Sequence, residues 1–551
     1  MRIRRSSFLA VILVLGVLVP SAAAGPGKRP SFSVSEMREW LGYLASDELE
    51  GRATFSEGLG LAAGYIAERL REWGVKPAGE NGTYFQRVVV QTVQAEPRST
   101  VTVEANGQSR TFRLGEGIEL PANVGIKRSF TADQVEFLGY GLHAPAEGFD
   151  DYAGRDVRGK VVVWLGPQGP SALKNAGFRV LGRRDRVALD GGAVAVIGPG
   201  RPARRPGASG TEFTGVERID RPMAPSVTAS DAFFEHLFAG QEAAYADLKS
   251  KAASREPLPR FTLKNVKITF DLDSNYKIAR TRYTRNVVGI VEGRDRGLRP
   301  TYVAFGAHYD HVGYAEGPVG ETALGRRVSD PKGVIGTGAG EDRIWNGADD
   351  DASGTVAILA VAKAFAQGPR PRRSLLFVWH TGEESGLWGS KWFVENPPVP
   401  LESIIAQINL DMVGRNRDNK TEEARTVYAI GADRISTALH NLTVDANTSL
   451  KQPLTLSFEM NDPADPQSLY TRSDHYSYAQ KGIPVVFFTT HLHPDYHANT
   501  DHADRIHYDK MSQVVELAHR LGMLVADQRT PLVRDNKGPR AGKGSSGRLP
   551  L

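Results

Sequence analysis

The sequence predicts an α/β protein: a mostly parallel, mixed sheet flanked by helices, with a small β-rich domain inserted into the chain. Two observations carry this. From Asn286 onward, short apolar runs alternate with stretches of helical periodicity, the pattern of a sheet covered by helices. Between about Phe130 and Gln241 that alternation gives way to brief apolar runs set among Gly, Pro and Arg, the style of a separate small domain.

The elements follow in order. Arg2, Arg4 and Arg5 precede an apolar stretch from Phe8 to Val19 and then Ala22-Ala23-Ala24, so residues 1–24 read as a secretory signal peptide, too short to span a bilayer. Arg4-Arg5 is a weak twin-arginine feature. Ser35 to Leu44 and Leu59 to Trp73 have apolar residues at helical spacing, and Gly74 stands where the second helix would stop. Gln86 to Val93 and Ser99 to Val103 are strand-like. Lys160 to Leu165 and Ala193 to Ile197 are short apolar runs of the insert, placed at 130–262. Apolar strands then fall at Asn286–Val291, Tyr302–Ala307, Leu375–Trp379, Ile404–Leu410 and Pro484–Phe488, with helices at Thr355–Ala366 and Ser512–Leu524. The main domain is thus 25–129 with 263–530. Residues 531–551 mix Gly, Pro, Ser and basic residues without periodicity and read as a disordered basic tail.

Composition narrows the function. Of 551 residues none is Cys, which excludes disulfides, thiolate metal sites, a cysteine nucleophile and a lipoprotein anchor. The formal charge of +5 belongs to the two ends, and the body between them is slightly acidic. With no recognisable module beside it, the basic pI does not argue for nucleic acid.

Eleven of the thirteen histidines lie at or after His308, in unusual company. The segments are AHYDHVG (307–313), NGADDDASG (346–354), WHTGEESGLWGS (379–390), NLDMVG (409–414), YTRSDH (470–475) and YHANTDH (496–502). His308, the Glu383-Glu384 pair, Asp411 and His497 each follow a predicted strand, and Asp350 precedes a predicted helix. The carboxyl ends of parallel strands form the binding crevice of an open α/β sheet, so these motifs converge on one edge. Two imidazoles and three carboxylates suit zinc or a similar divalent ion, and a shared carboxylate allows a two-metal site. A fourth carboxylate outside the ligand set could take a proton from a bridging water, and the adjacent Glu383 and Glu384 supply one ligand and one base. His311, His475, His491, His493 and His502 are read as non-ligands.

These motifs, with LASDELEGRATFSEG (44–58), KPAGENGTYFQ (76–86), GIPVVFFT (482–489) and YHANTDHADRI (496–506), resemble the M28 family of co-catalytic dizinc aminopeptidases. The segments GFDDYAGRDVRGKVVVW (148–164) and GGAVAVIG (191–198) resemble a protease-associated (PA) domain. The resemblance implies a zinc-exopeptidase fold and two Zn2+ per chain, other divalent ions being able to substitute. It implies that His308 and Asp411 bind one ion, Glu384 and His497 the other, and that Asp350 bridges them. It makes Glu383 the general base, Asp310 the partner that orients His308, and the peptide between Asp350 and Asp351 cis. A tyrosine commonly steadies the oxyanion: Tyr470 is the first choice and Tyr496 the second. The implied activity is hydrolysis of the N-terminal peptide bond of peptides with a free N-terminus, by a bridging hydroxide, in an exported protein, periplasmic or secreted, without a stable membrane anchor. The alternatives are a carboxypeptidase or glutaminyl cyclase on the same fold, or a non-catalytic receptor-like protein. The stretch 311–345 is long and Gly-rich, in the manner of a lid.

Overall fold

The computed structural model describes residues 32–145, 148–173, 177–200, 211–317, 319, 333–461, 465 and 467–535. The signal-peptide reading, most of the basic tail and part of the 311–345 stretch lie outside them.

Ten strands build the sheet that carries the site: β1 (Lys76–Pro77), β2 (Phe85–Pro97), β3 (Glu212–Gly215), β4 (Ser274–Val291), β5 (Tyr302–His308), β6 (Ser374–His380), β7 (Ile404–Leu410), β8 (Thr426–Ile430), β9 (Thr455–Ser457) and β10 (Val485–Thr489). Their order is β3-β2-β4-β6-β5-β7-β10-β8-β9, with β1 paired to β4. The central run β6-β5-β7-β10 is parallel, and antiparallel pairs flank it. The mixed sheet is therefore parallel where the site sits.

Burial on both faces explains the near-continuous apolar run of β6. Leu375, Phe377 and Trp379 enter the larger core, while Leu376 and Val378 enter the smaller core on the opposite face. The larger core is closed by α1 (Val34–Leu44), α2 (Glu57–Glu72), α3 (Gly354–Gln367), α5 (Thr437–Thr448) and α7 (Tyr508–Ala526); α4 (Trp388–Glu395) and α6 (His475–Ala479) cover the other. The hydroxyls of Ser33 and Ser56 accept from Glu36 and Leu59 N–H and so cap α1 and α2.

A second ten-stranded sheet takes its strands from between Thr100 and Leu272, around a core rich in phenylalanine that includes Phe112, Phe137, Phe234 and Phe270. The sequence expectation placed the insert at 130–262; three strands of this sheet, Thr100–Ala105, Gln108–Leu114 and Gly117–Glu119, precede that span, and Val266–Leu272 follows it. An antiparallel ribbon joins the two sheets: β2 and β4 pair from Phe85 with Val287 to Pro97 with Ser274, and Thr100–Ala105 then pairs with Val266–Leu272. The segment β3, from inside the insert, returns to pair with β2.

Candidate active site

Each predicted site residue except Tyr470 arrives at the carboxyl edge of the parallel strands. His308 ends β5, Glu383 and Glu384 follow β6, Asp411 follows β7, and His497 lies in the loop after β10. Asp350 sits in the turn before α3, and the peptide that joins it to Asp351 is cis.

Asp350 lies between the two imidazoles. Its Oδ1 is 3.2 Å from His308 Nε2 and its Oδ2 is 3.1 Å from His497 Nε2. His308 Nε2 also faces Asp411 Oδ2 at 3.7 Å and Glu383 Oε2 at 3.9 Å, and His497 Nε2 faces Glu384 Oε2 at 3.0 Å. None of these close pairs is aligned as a hydrogen bond; the nitrogen and oxygen atoms face one another across 3.0–3.9 Å instead. This is how side chains stand around a shared cation, and the nitrogen-and-oxygen donor set suits zinc. Neighbouring trios, His308 with Asp351 and Asp411, and His311 with Asp350 and Glu384, have ligating atoms close enough to share an ion. In the first trio Asp351 is already committed: its carboxylate accepts from His308 N–H (3.2 Å), Gly354 N–H (2.9 Å) and Met412 N–H (3.1 Å). Asp350 remains the acid between the imidazoles.

Burial and charge act together here. Burial alone would lower His308, but Asp411, Glu383 and Asp350 raise it well above its ordinary range; Glu384 and Asp350 do the same for His497. Burial works against ionising Asp350, yet His308 and His497 hold it well below the usual carboxylate range. Glu383 goes the other way: burial, reinforced by Glu384 and Asp411, pushes it well up. Against the burial that would raise it, His497 and His311 hold the neighbouring Glu384 down to about 2, so two adjacent carboxyls are driven apart, as an acid–base pair of roles requires.

The supporting contacts depart in part from expectation. His308 Nδ1 is oriented by the backbone carbonyl of Asp310 at 3.0 Å, while the Asp310 carboxylate accepts from Glu383 N–H at 3.1 Å and from the Thr54 hydroxyl at 3.3 Å. Asp310 therefore positions the base as well as the histidine. Ser473 donates to Asp411 Oδ2 at 2.6 Å and is itself held by Asn409. Arg52, buried, donates to the carbonyls of Leu44, Tyr309, Asn346 and Gly347, which ties the N-terminal segment to both site loops.

Tyr470 is a correction. Its ring packs on Arg434, His475 and Tyr476, away from the cavity, because it is the last-but-one residue of a short turn facing Gly431. Tyr496, the second choice, lines the cavity; its ring stacks on His497 at 4.0 Å and its hydroxyl accepts from Arg472 Nη2 at 2.8 Å. Sequence reading missed Arg472 and Ser473, although both stand in the YTRSDH segment; nothing local marks an arginine or serine as facing a site. The cavity is otherwise walled by Met412, Leu469, Phe487, Thr489, His491 and Leu492. Among the other histidines, His475 and His493 are buried and do not line this cavity, His491 lines it beside Thr489 and Leu492, and His311 reaches Glu384.

Residues 286–522 match the model of peptidase family M28. Leucine aminopeptidase 1 of Arthroderma otae is 26% identical over 180 residues, 31% of this chain and 46% of that protein. Leupeptin-inactivating enzyme 1 of Streptomyces exfoliatus is 38% identical over 89 residues, 15% of this chain and 20% of its own length. The chain thus spans about half or less of the curated relatives it matches. Among solved structures, the aminopeptidase from Aneurinibacillus sp. strain AM-1 aligns with a TM-score of 0.42 and 18% identity, over 93% of this chain and 98% of that one.

Proposed function

We propose, on the premise that residues 286–522 are a domain of peptidase family M28, that the chain is a metal-dependent aminopeptidase acting on peptides with a free N-terminus. The observation that carries this reading is Asp350 standing between His308 and His497, with Glu383 beside them. His308, Asp411 and Asp350 would hold one divalent ion, and Glu384, His497 and Asp350 a second. Bound there, the pair would supply Lewis acidity to a water and to the scissile carbonyl, and a docking point for the substrate's amine. Glu383 takes the proton from the attacking water and delivers it to the leaving amine; its buried, raised carboxyl suits both transfers. Tyr496 donates its hydroxyl proton to the developing oxyanion, since its oxygen already accepts from Arg472.

The walls formed by Met412, Leu469, Phe487 and Leu492 favour an apolar N-terminal side chain. A second reading, release of C-terminal residues, has one supporting observation: Arg472 lines the cavity with a buried Nη1 that finds no partner among the described residues. Residues 1–24 are proposed to direct export to the periplasm or medium. The second sheet is proposed to act as a protease-associated element governing access; its Arg183 and Asp190 bond Ser468 and Tyr476, either side of Arg472.

A panel of aminoacyl anilides, N-acetylated peptides and free dipeptides, with and without chelator, tests the assignment. Cleavage of leucyl and phenylalanyl anilides, abolished by chelator, is expected. Blocked peptides cut as fast as free ones would overturn the N-terminal reading. One ion per chain with cyclisation of N-terminal glutamine would instead establish the cyclase.

A further inference from the structure

One histidine at the site behaves unlike the other two. His311 Nδ1 lies 2.9 Å from Glu384 Oε1 in a formed hydrogen bond, whereas His497 approaches the other oxygen, Oε2, at 3.0 Å without such alignment. His311 Nε2 is buried and has no partner among the described residues. A metal-bound imidazole nearly always donates its second N–H to an oxygen. His308 does this through Asp310; His311 does not.

The ring is built in. His311 is 1% exposed, its backbone N–H donates to the carbonyl of Arg52 at 3.1 Å, and its ring meets that of His497 edge-on. Gly347 makes room for it: a Cβ there would stand 2.5 Å from His311 Cγ and Cδ2, in a backbone already at φ 57°. A histidine so confined, sharing a carboxylate with His497, has a defined task.

We propose that His311 is a positioning residue for Glu384, acting as an N–H donor that occupies Oε1 and leaves Oε2 to ligate. Glu384 is thereby a one-oxygen ligand, turned toward His497. The neutral Nδ1–H tautomer does this, and Nε2 needs no acceptor because it carries no proton. This rests on the reading that Glu384 and His497 hold an ion.

The test uses the full-length protein and zinc alone, measured by competition with a chromophoric chelator, with wild type, His311→Ala and His311→Asn. Asparagine can place an N–H where Nδ1 stands but is a poor zinc ligand. Wild type is expected to bind two ions. His311→Ala should weaken one of the two ions by about 10- to 100-fold and leave the other unchanged; His311→Asn should restore most of that loss. Apo-protein melting of all three separates a folding defect from a ligation defect. Equal zinc affinities in wild type and His311→Ala would overturn the proposal. So would an asparagine variant as weak as alanine together with a changed visible spectrum of the cobalt-substituted protein, which would make His311 a ligand. A wild type that binds fewer than two ions would defeat the underlying reading instead.

Discussion

Glu383 and Glu384 are neighbours in sequence with opposite proposed tasks, and substitution separates them. Glu383→Gln is expected to keep both ions while kcat falls by about 10²- to 10⁴-fold, read by metal analysis beside turnover; near-normal turnover would remove it as the base. Tyr496→Phe should lower kcat by about 10²- to 10³-fold, the usual loss for one oxyanion donor. Tyr470→Phe should leave it unchanged, since that ring faces Gly431 and Arg434. Steady-state kinetics on one anilide decides between the two tyrosines. The residues that the structure brings together were legible in the sequence by type and position: an imidazole or carboxylate just past an apolar run. Tyr470 was misplaced because a tyrosine near a motif carries no such signal, and whether its ring turns inward depends on the turn around Ser468. Arg472 and Ser473 were invisible for the same reason, as their roles arise from Tyr496 and Asp411, distant in sequence.

At the scale of elements, the buried strands β5, β6, β7 and β10 and the helices α1, α2, α3 and α7 were legible from apolar runs and helical periodicity. Strands β8 and β9 were not, being short and set among polar loops. The edges of the inserted sheet were also misjudged, since an alternating strand such as Thr100–Ala105 looks alike in either sheet. Helix α7 carries a pH-dependent feature of its own. His519 stacks on Phe365 of α3, and burial, with Arg520 adding to it, pushes its pKa from 6.5 down to about 4. The unfolded chain therefore takes up a proton below pH 6.5 that the folded helix refuses. This residue's contribution is complete above pH 6.5 and is lost as pH falls toward 4, by on the order of 3 kcal/mol. His519→Phe should lose less stability than wild type between pH 7 and 4.5 in denaturant titrations. Equal losses would show that the histidine is not responsible.

For the whole molecule, the carboxylates that meet at the sheet edge are expected to make the native state dependent on cations. Chelator-treated protein is expected to unfold at lower denaturant, and zinc at a hundred times its Kd should restore about 2.7 kcal/mol. Stability that ignores zinc would mean the cluster does not bind it. The ribbon of β2 and β4 has a different consequence, for the order of assembly. Pro97 faces Ser274, and the chain between them, residues 98–273, carries the described strands of the second sheet together with β3, which pairs back onto β2. Pairing β2 with β4 from an unfolded chain must close that whole length, at an entropic cost that grows with its logarithm. Once Thr100 has paired with Asp271 inside the second sheet, the closure has already been made. The first sheet is then expected to zip from a nearby start, so a lesion such as Phe137→Leu, in the second core and away from the candidate site, should slow the return of the native state after dilution from denaturant. The second sheet would thus act as an internal template, setting the pace at which the first sheet and the candidate site on it assemble.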